Sequence, residues 1–255
     1  MGPRALSPAC RGDSRSEAMA QGCREVGAQR MNGLARRLFL ALPILTSALV
    51  IAWLLSPRLM DGLICVLVTV IGSARSLLRR DSWTSADDLT TLRLGFIVIV
   101  TALFLADDGP GFTWTAVVLG ATALAMDGLD GKIARSTGST RAGALYDEAV
   151  DALFILILSM GLVPLWGPWC LIPGLMYYAF HLMSAFRPTW RRQLPKSLSR
   201  RVIAAAQGIL LLAAGTPIAV AIPAFGVLCV AAAVVSVLYS FGRDILWLER
   251  RRAAS

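Results

Sequence analysis

Four aspartates within a short stretch form the most chemically informative pattern in this sequence. Asp127 and Asp130 are three residues apart, and Asp147 and Asp151 are four residues apart, in the segment MDGLDGKIARSTGSTRAGALYDEAVDALF (126–154). Residues separated by three or four positions share one face of a helix. Two antiparallel helices joined by a short turn would therefore bring the four carboxylates to one point.

These carboxylates need a cation, because ionised side chains at the edge of an apolar span are costly unless they face a cavity and a partner. A set of carboxylates without His or Cys favours Mg²⁺ or Mn²⁺ over zinc. Arg135 lies little more than one helical turn beyond Asp130 and is suited to bidentate binding of a phosphate. The pattern predicts a divalent-metal site for a substrate that contains phosphate.

The composition of the chain indicates which elements carry these residues. Of its 255 residues, 56% are hydrophobic and 16% are charged, with a mean hydropathy of +0.64. Such values are typical of an integral membrane protein and exclude a water-soluble globular domain. The formal net charge is +9, but the basic residues separate apolar runs instead of covering one face, as a nucleic-acid module requires. We therefore expect no nucleic-acid partner.

Eight apolar runs are long enough, at about 1.5 Å per helical residue, to approach the thickness of a bilayer core. Residues 1–35 are predicted to be a disordered tail, because they lack apolar periodicity, and Met31 is a second candidate start. We expect two N-terminal transmembrane helices in 36–80, a core in 81–243 and a basic C-terminal tail in 244–255. The predicted spans are 38–56, 61–78, 89–106, 112–133, 144–163, 167–186, 202–220 and 221–241. Pro217 and Pro223 are predicted to bracket a short turn between the seventh and eighth spans.

Basic residues concentrate in alternate connections, at 75–80, 132–141 and 187–201, and at both ends of the apolar region. By the positive-inside rule, these connections and both termini are cytoplasmic. The aspartate segment 126–154 then lies at the cytoplasmic edge of the membrane. We expect a multi-pass protein of a bacterial-type cytoplasmic membrane.

The remaining reactive residue types give weaker patterns. The five cysteines are scattered and form no CxxC pair, so we expect neither a disulfide framework nor a zinc site. The single histidine, His181, lies in an apolar run beside Tyr177 and Tyr178. It is interpreted as a structural residue, which makes histidine-based catalysis improbable.

The aspartate segment resembles the signature of the CDP-alcohol phosphatidyltransferases, D-x-x-D-G-x-x-A-R followed after about eight residues by G-x-x-x-D-x-x-x-D. The spacer here has seven residues, 136–142, and this difference falls in the connecting turn. Thr90-Thr91-Leu92-Arg93 is similar to the T-x-x-R that often opens the first core helix, with Asp88 where many members have Asn. The matching signature positions are Asp127, Asp130, Gly131, Ala134, Arg135, Gly143, Asp147 and Asp151.

The resemblance implies an all-α, polytopic membrane helical bundle, with a six-helix core, about two extra N-terminal spans and a homodimeric assembly. It also implies transfer of a phosphatidyl group from a CDP-linked donor, usually CDP-diacylglycerol, to an alcohol acceptor with release of CMP. By position, Asp127, Asp130 and Asp147 would bind the metal, and Asp151 would lie near it as general base. The CDP moiety would contact Gly131, Ala134, Arg135 and Gly143.

Two alternatives remain open at this point. A CDP-activated polar group transferred to a lipid or small alcohol would use the same signature, and an ion transporter could use intramembrane aspartates. The basic loop 187–201 has two interpretations, membrane topology with anionic lipid contact or binding of a phosphorylated acceptor. Glu148 stands where relatives that make phosphatidylglycerophosphate or cardiolipin often have Pro, which weakens those assignments. The sequence does not identify the alcohol.

Overall fold

The computed structural model describes residues 37–77, 83–107, 109–137, 140–186 and 198–253. Within these ranges, the side chains of 37–38, 75–77, 129–137, 185, 198–201, 244 and 246–253 are outside the description. The predicted N-terminal tail and residues 187–197 of the basic loop lie outside the described residues. Every regular element in the described ranges is helical, which confirms the all-α class.

The helices follow one another with short connections. A π-helical turn, Arg37–Ala41, leads directly into the first α-helix. The α-helices are α1 (Leu42–Leu55), α2 (Leu59–Leu77), α3 (Ser85–Ala106), α4 (Trp114–Thr137), α5 (Arg141–Trp166), α6 (Leu171–Phe186), α7 (Leu198–Ala214), α8 (Pro217–Ala221) and α9 (Pro223–Ala253).

Three helices are long and apolar enough to cross a membrane by length and composition, within the described residues. They are Ser85–Ala106, Arg141–Trp166 and the Pro223–Arg243 part of α9. Shorter apolar helices lie at Phe39–Leu55, Leu59–Ala74, Trp114–Gly128 and Val202–Ala214. The count of eight spans stays a prediction, whereas the class of helical membrane bundle is confirmed.

Helix α3 is the centre of the bundle. It packs against α1, α2, α4 and α5, and its residues Leu94, Ile97, Val98 and Val100 are fully buried. Because neighbouring helices cover much of its surface, a polar side chain on a buried face of α3 must find its partners within the protein.

The two N-terminal helices pack closely against this centre. Gly72 of α2 lies so near α3 and α5 that an added Cβ would overlap Leu94 and approach Leu153 to 3.1 Å. At the turn between α1 and α2, the Ser56 hydroxyl donates a hydrogen bond to the Asp61 carboxylate, and both residues are buried. Helices α1 and α2 are therefore an integral layer of the bundle.

The last two predicted spans have different bounds in the structure. Helix α7 ends at Ala214, six residues before the predicted end of its span, and the short α8 begins at Pro217. Pro223 begins α9, which continues to Ala253 beyond the predicted end at 241. Both prolines stand at helix starts, where the missing N–H costs nothing, so they begin helices instead of forming one turn between two spans.

Candidate functional site

The aspartates are carried by the end of α4 and the beginning of α5. Helix α4 ends at Thr137, and α5 begins at Arg141 with Thr140 as its N-cap. The Thr140 hydroxyl accepts a hydrogen bond from the Gly143 amide at 3.0 Å. This capping hydrogen bond fixes the start of α5 nearly two turns before Asp147.

Three of the four predicted aspartates converge. Carboxylate oxygens of Asp127, Asp147 and Asp151 all lie within 4.8 Å of one another. Their side chains are 38%, 36% and 45% exposed, so the cluster is open to a ligand. Asp127 on α4 thus lies beside both aspartates of the second pair on α5, because α4 and α5 each pack against α3.

The other predicted site residues are only partly described. Asp130, Gly131, Ala134 and Arg135 lie on the final turns of α4, but their side chains are outside the described part of the chain. The metal and phosphate roles predicted for these four stay predictions. Gly143 is described, and its amide takes part in the N-cap of α5.

The side chain at the centre of the cluster is Arg93 of α3. Its Nη1 donates to Asp127 Oδ1 at 2.9 Å, and its Nη2 lies 2.5 Å from Asp147 Oδ1 and 2.8 Å from Asp151 Oδ1. Nη2 also donates to the backbone carbonyl of Asp147 at 3.4 Å. The Arg93 side chain is 1% exposed, so a buried guanidinium connects three helices beneath three half-exposed carboxylates.

Sequence reasoning missed this role of Arg93. Arg93 belongs to the T-x-x-R pattern, but the spacing of the aspartates predicts the site without it. The available signal was an arginine within an otherwise apolar helix, since a charge in such a place requires a partner. The partners lie 34 and 54 residues away in the chain, so helical spacing alone could not identify them.

A second set of contacts fixes α3 against α5 beside the cluster. The buried Tyr146, next to Asp147 in sequence, has its hydroxyl 3.2 Å from the Thr91 hydroxyl. Its ring also lies near Trp83, with centroids 6.3 Å apart. Trp83 donates from Nε1 to Asp88 Oδ1 at 2.5 Å. These contacts hold the start of α3 and the first turns of α5 together.

The start of α3 is also fixed locally. Thr84 is its N-cap, and the Asp87 side chain accepts hydrogen bonds from the Thr84 amide at 2.7 Å and the Thr84 hydroxyl at 2.9 Å. This capping box satisfies backbone donors at the helix start. Arg93 therefore projects from a helix whose beginning is well defined.

The donor set fits a hard divalent cation. It consists only of carboxylate oxygens, which Mg²⁺ and Mn²⁺ prefer. Ligand oxygens on opposite sides of a Mg²⁺ ion are about 4 Å apart, so the spacing of at most 4.8 Å among Asp127, Asp147 and Asp151 needs little side-chain adjustment. Three carboxylates and one guanidinium also leave two excess negative charges, which match one divalent ion.

His181 lies in α6 within a group of aromatic residues. Its Nδ1 is 3.1 Å from the Tyr177 carbonyl oxygen, and its ring centroid is 4.1 Å from that of Tyr177. Cys65, Cys170 and Cys229 are free and buried. These contacts agree with the interpretation of His181 as a structural residue.

Comparison with known proteins gives the family. A family model for the CDP-alcohol phosphatidyltransferases matches residues 83–239, more than half of the chain. The matched range begins at Trp83 and includes Arg93 and all four aspartates. The chain belongs to the CDP-alcohol phosphatidyltransferase family.

The protein is therefore an integral membrane enzyme, a transferase of substituted phosphate groups. This family generally depends on divalent metals, in agreement with the aspartate cluster. The alternative of an ion transporter is set aside by the same match. Searches of the curated proteins and of the solved structures found no match.

Proposed function

We propose that this enzyme transfers the phosphatidyl group of CDP-diacylglycerol to an alcohol and releases CMP, as a step of phospholipid synthesis. The observation that carries the proposal is the convergence of Asp127, Asp147 and Asp151 within the range that matches the family. An exposed oxygen cluster beside apolar helices suits a donor with a hydrophilic nucleotide and two hydrophobic acyl chains.

Asp127, Asp130 and Asp147 would hold the metal, either Mg²⁺ or Mn²⁺. A divalent ion held by these aspartates would neutralise the diphosphate of the donor and stabilise the charge of the departing CMP. Gly131, Ala134, Arg135 and Gly143 would contact the CDP moiety. Glycine and alanine allow close approach of the nucleotide, while the Arg135 guanidinium can bind a phosphate through two hydrogen bonds.

Asp151 would act as general base. Its carboxylate takes the proton of the acceptor hydroxyl while the alcohol oxygen forms a bond to the phosphorus atom that carries diacylglycerol. The phosphoanhydride bond breaks, and its electron pair leaves with CMP. Because Asp151 lies one helical turn beyond Asp147 and 45% of its side chain is exposed, it can reach a hydroxyl beside bound donor phosphates.

The active site would face the cytoplasm, with both termini on the same side. Support comes from the basic connections at 75–80, 132–141 and 187–201 and the positive-inside rule. We assign catalysis to residues 81–243, with two N-terminal transmembrane helices in 36–80, and propose a homodimer in a bacterial-type cytoplasmic membrane. Membrane lipids would surround the apolar faces of both copies.

The direct test supplies purified protein with CDP-diacylglycerol, Mg²⁺ or Mn²⁺ and a panel of alcohols, and measures CMP and lipid product together. Product should form with at least one alcohol and only when metal is present. A parallel reaction contains diacylglycerol and CDP-linked polar head groups. Turnover in the parallel reaction alone would replace the proposed donor with a CDP-activated polar group. A protein that binds donor and metal but forms no CMP with any acceptor would contradict the proposal.

A further inference from the structure

Arg93 is placed behind the carboxylates and not among the groups that a substrate can touch. Its side chain is 1% exposed, whereas those of Asp127, Asp147 and Asp151 are 36–45% exposed. The guanidinium lies within the central helix bundle, and the aspartates lie between it and the opening of the site. Direct contact between Arg93 and a donor or acceptor is therefore not expected.

The two terminal nitrogens of the Arg93 guanidinium contact carboxylates on two different helices. Nη1 contacts Asp127 on α4, while Nη2 contacts Asp147 and Asp151 on α5. A guanidinium offers several donors in a rigid plane, whereas a lysine ammonium is a single point charge on a flexible stem. The two terminal nitrogens can thus fix the separation of two helices, and they remain charged at every physiological pH.

The carboxylates need such a cation before any ligand binds. Like charges that lie within 4.8 Å of one another repel strongly in a partly buried setting. Without a positive charge, the ends of α4 and α5 would be driven apart. Arg93 balances one of the three negative charges. It also holds Oδ1 of each carboxylate beside its guanidinium.

We propose that Arg93 is a positioning residue, a permanent internal cation that assembles the carboxylates of Asp127, Asp147 and Asp151 before the divalent ion binds. The part of this inference that concerns the ion rests on the proposed metal site. The part that concerns assembly rests on the ion pairs alone. Arg93 would therefore make the stability of the bundle largely independent of metal.

The test compares thermal unfolding of the full-length protein in nanodiscs with excess chelator and with excess Mg²⁺. Arg93→Gln should lower the Tm in chelator by at least about 5 °C, because removing one partner of a buried ion pair leaves uncompensated charge. Mg²⁺ should restore at least half of that loss, since the ion supplies the missing positive charge. The wild-type protein should show a smaller shift with Mg²⁺.

Two controls separate positioning from packing. Leu94→Ala truncates a fully buried side chain next to Arg93, and its Tm loss should be equal with and without metal. Arg58→Gln removes a charge near the start of α2. Since Gly72 packs beside Leu94, Arg58 is about 21 Å away along the helix axis at 1.5 Å per residue. Arg58→Gln should therefore leave the response to Mg²⁺ unchanged.

Two further variants keep the inference testable if Arg93→Gln does not fold. Arg93→Lys keeps the charge without the planar fork, so its Tm in chelator should fall between those of the wild type and Arg93→Gln. Adding Asp151→Asn to either Arg93 variant should raise the Tm in chelator, because it removes one uncompensated negative charge.

An equal Tm loss in chelator and in Mg²⁺, as for Leu94→Ala, would overturn the positioning role. So would a double variant that is no more stable than its Arg93 single variant. If wild-type protein shows neither metal binding nor metal-dependent CMP release, the proposed metal site fails instead. The chelator comparison and the double variant would still decide the role of Arg93.

Discussion

Arg93 and Asp127 lie on neighbouring helices, 34 residues apart in the chain, and their Nη1 and Oδ1 atoms are 2.9 Å apart. The arginine is buried and the aspartate is half-exposed. This pair connects the interior of the bundle to the open face of the carboxylate cluster. It shows how a membrane-embedded charge is stabilised by the same residues that are proposed to bind the metal.

Removing a proposed metal ligand should stop catalysis without preventing membrane insertion. In Asp127→Asn, Asp130→Asn and Asp147→Asn, we expect CMP release to fall by at least about a thousandfold, because each substitution removes a charged ligand of the metal. Metal-dependent binding of CDP should weaken in parallel. Asp107→Asn is the matched control, since Asp107 is exposed at the opposite end of α3 from Asp87. Wild-type turnover in any of the three ligand variants would contradict the metal assignment.

Asp151→Asn should show whether Asp151 acts as the general base or as a metal ligand. Asparagine keeps an oxygen that coordinates weakly but is not basic, so we expect turnover to fall by about 10²- to 10⁴-fold. Affinity for CDP-diacylglycerol, measured by displacement of a labelled CDP ligand with metal present, should change less than about tenfold. A loss of affinity as large as that in Asp147→Asn would make Asp151 chiefly a metal ligand, and Glu148 the next residue to examine as base.

The packing of the N-terminal helices can be tested at one glycine. Gly72→Ala places a methyl group against Leu94 and Leu153, and we expect the free energy of unfolding to fall by about 1–3 kcal/mol. Gly242→Ala is the matched control, because an added Cβ there has no neighbour within 4 Å in the described part of the chain. It should keep or raise stability, since alanine favours helix more than glycine. Equal Tm values for both variants would argue against close packing of α2.

Sidedness can be measured with single cysteines in a cysteine-free background. Ser139 lies between the two aspartate pairs in the sequence, and Gly109 follows α3; each is replaced by cysteine. A membrane-impermeant thiol reagent should label the first only from the cytoplasmic face and the second only from outside. Labelling of both positions from the same side would overturn the topology.

Helical spacing and the short connection predicted the convergence of Asp127, Asp147 and Asp151, and the structure brings these carboxylates together through α3, against which α4 and α5 each pack. Local spacing was not enough to predict the role of Arg93, whose partners belong to helices that are distant in sequence. Similarly, the overlap that an added Cβ at Gly72 would create depends on how α2 approaches α3 and α5. Tertiary packing determines such contacts, and no local pattern encodes them.

The ends of the last helices show a related limit. The sequence predicts that Pro217 and Pro223 bracket a short turn, because proline disrupts helices. Each instead occupies the first position of a helix, where its fixed φ is favourable. The choice between these two readings depends on the packing at the end of α7, where the Phe112 amide donates to the Gly215 carbonyl at 2.7 Å. That partner lies about a hundred residues earlier in the chain.

The most direct test of the proposed reaction follows the phosphate that is attached to diacylglycerol. CDP-diacylglycerol labelled with ³²P at this phosphate is incubated with the purified enzyme, Mg²⁺ or Mn²⁺, and the alcohol that supports turnover best. We predict that the label moves entirely into a phospholipid that contains the alcohol, with one unlabelled CMP released per product, and that chelator or Asp147→Asn prevents both. Label recovered with the released nucleotide, or undiminished transfer in excess chelator, would contradict a metal-dependent phosphatidyl transfer.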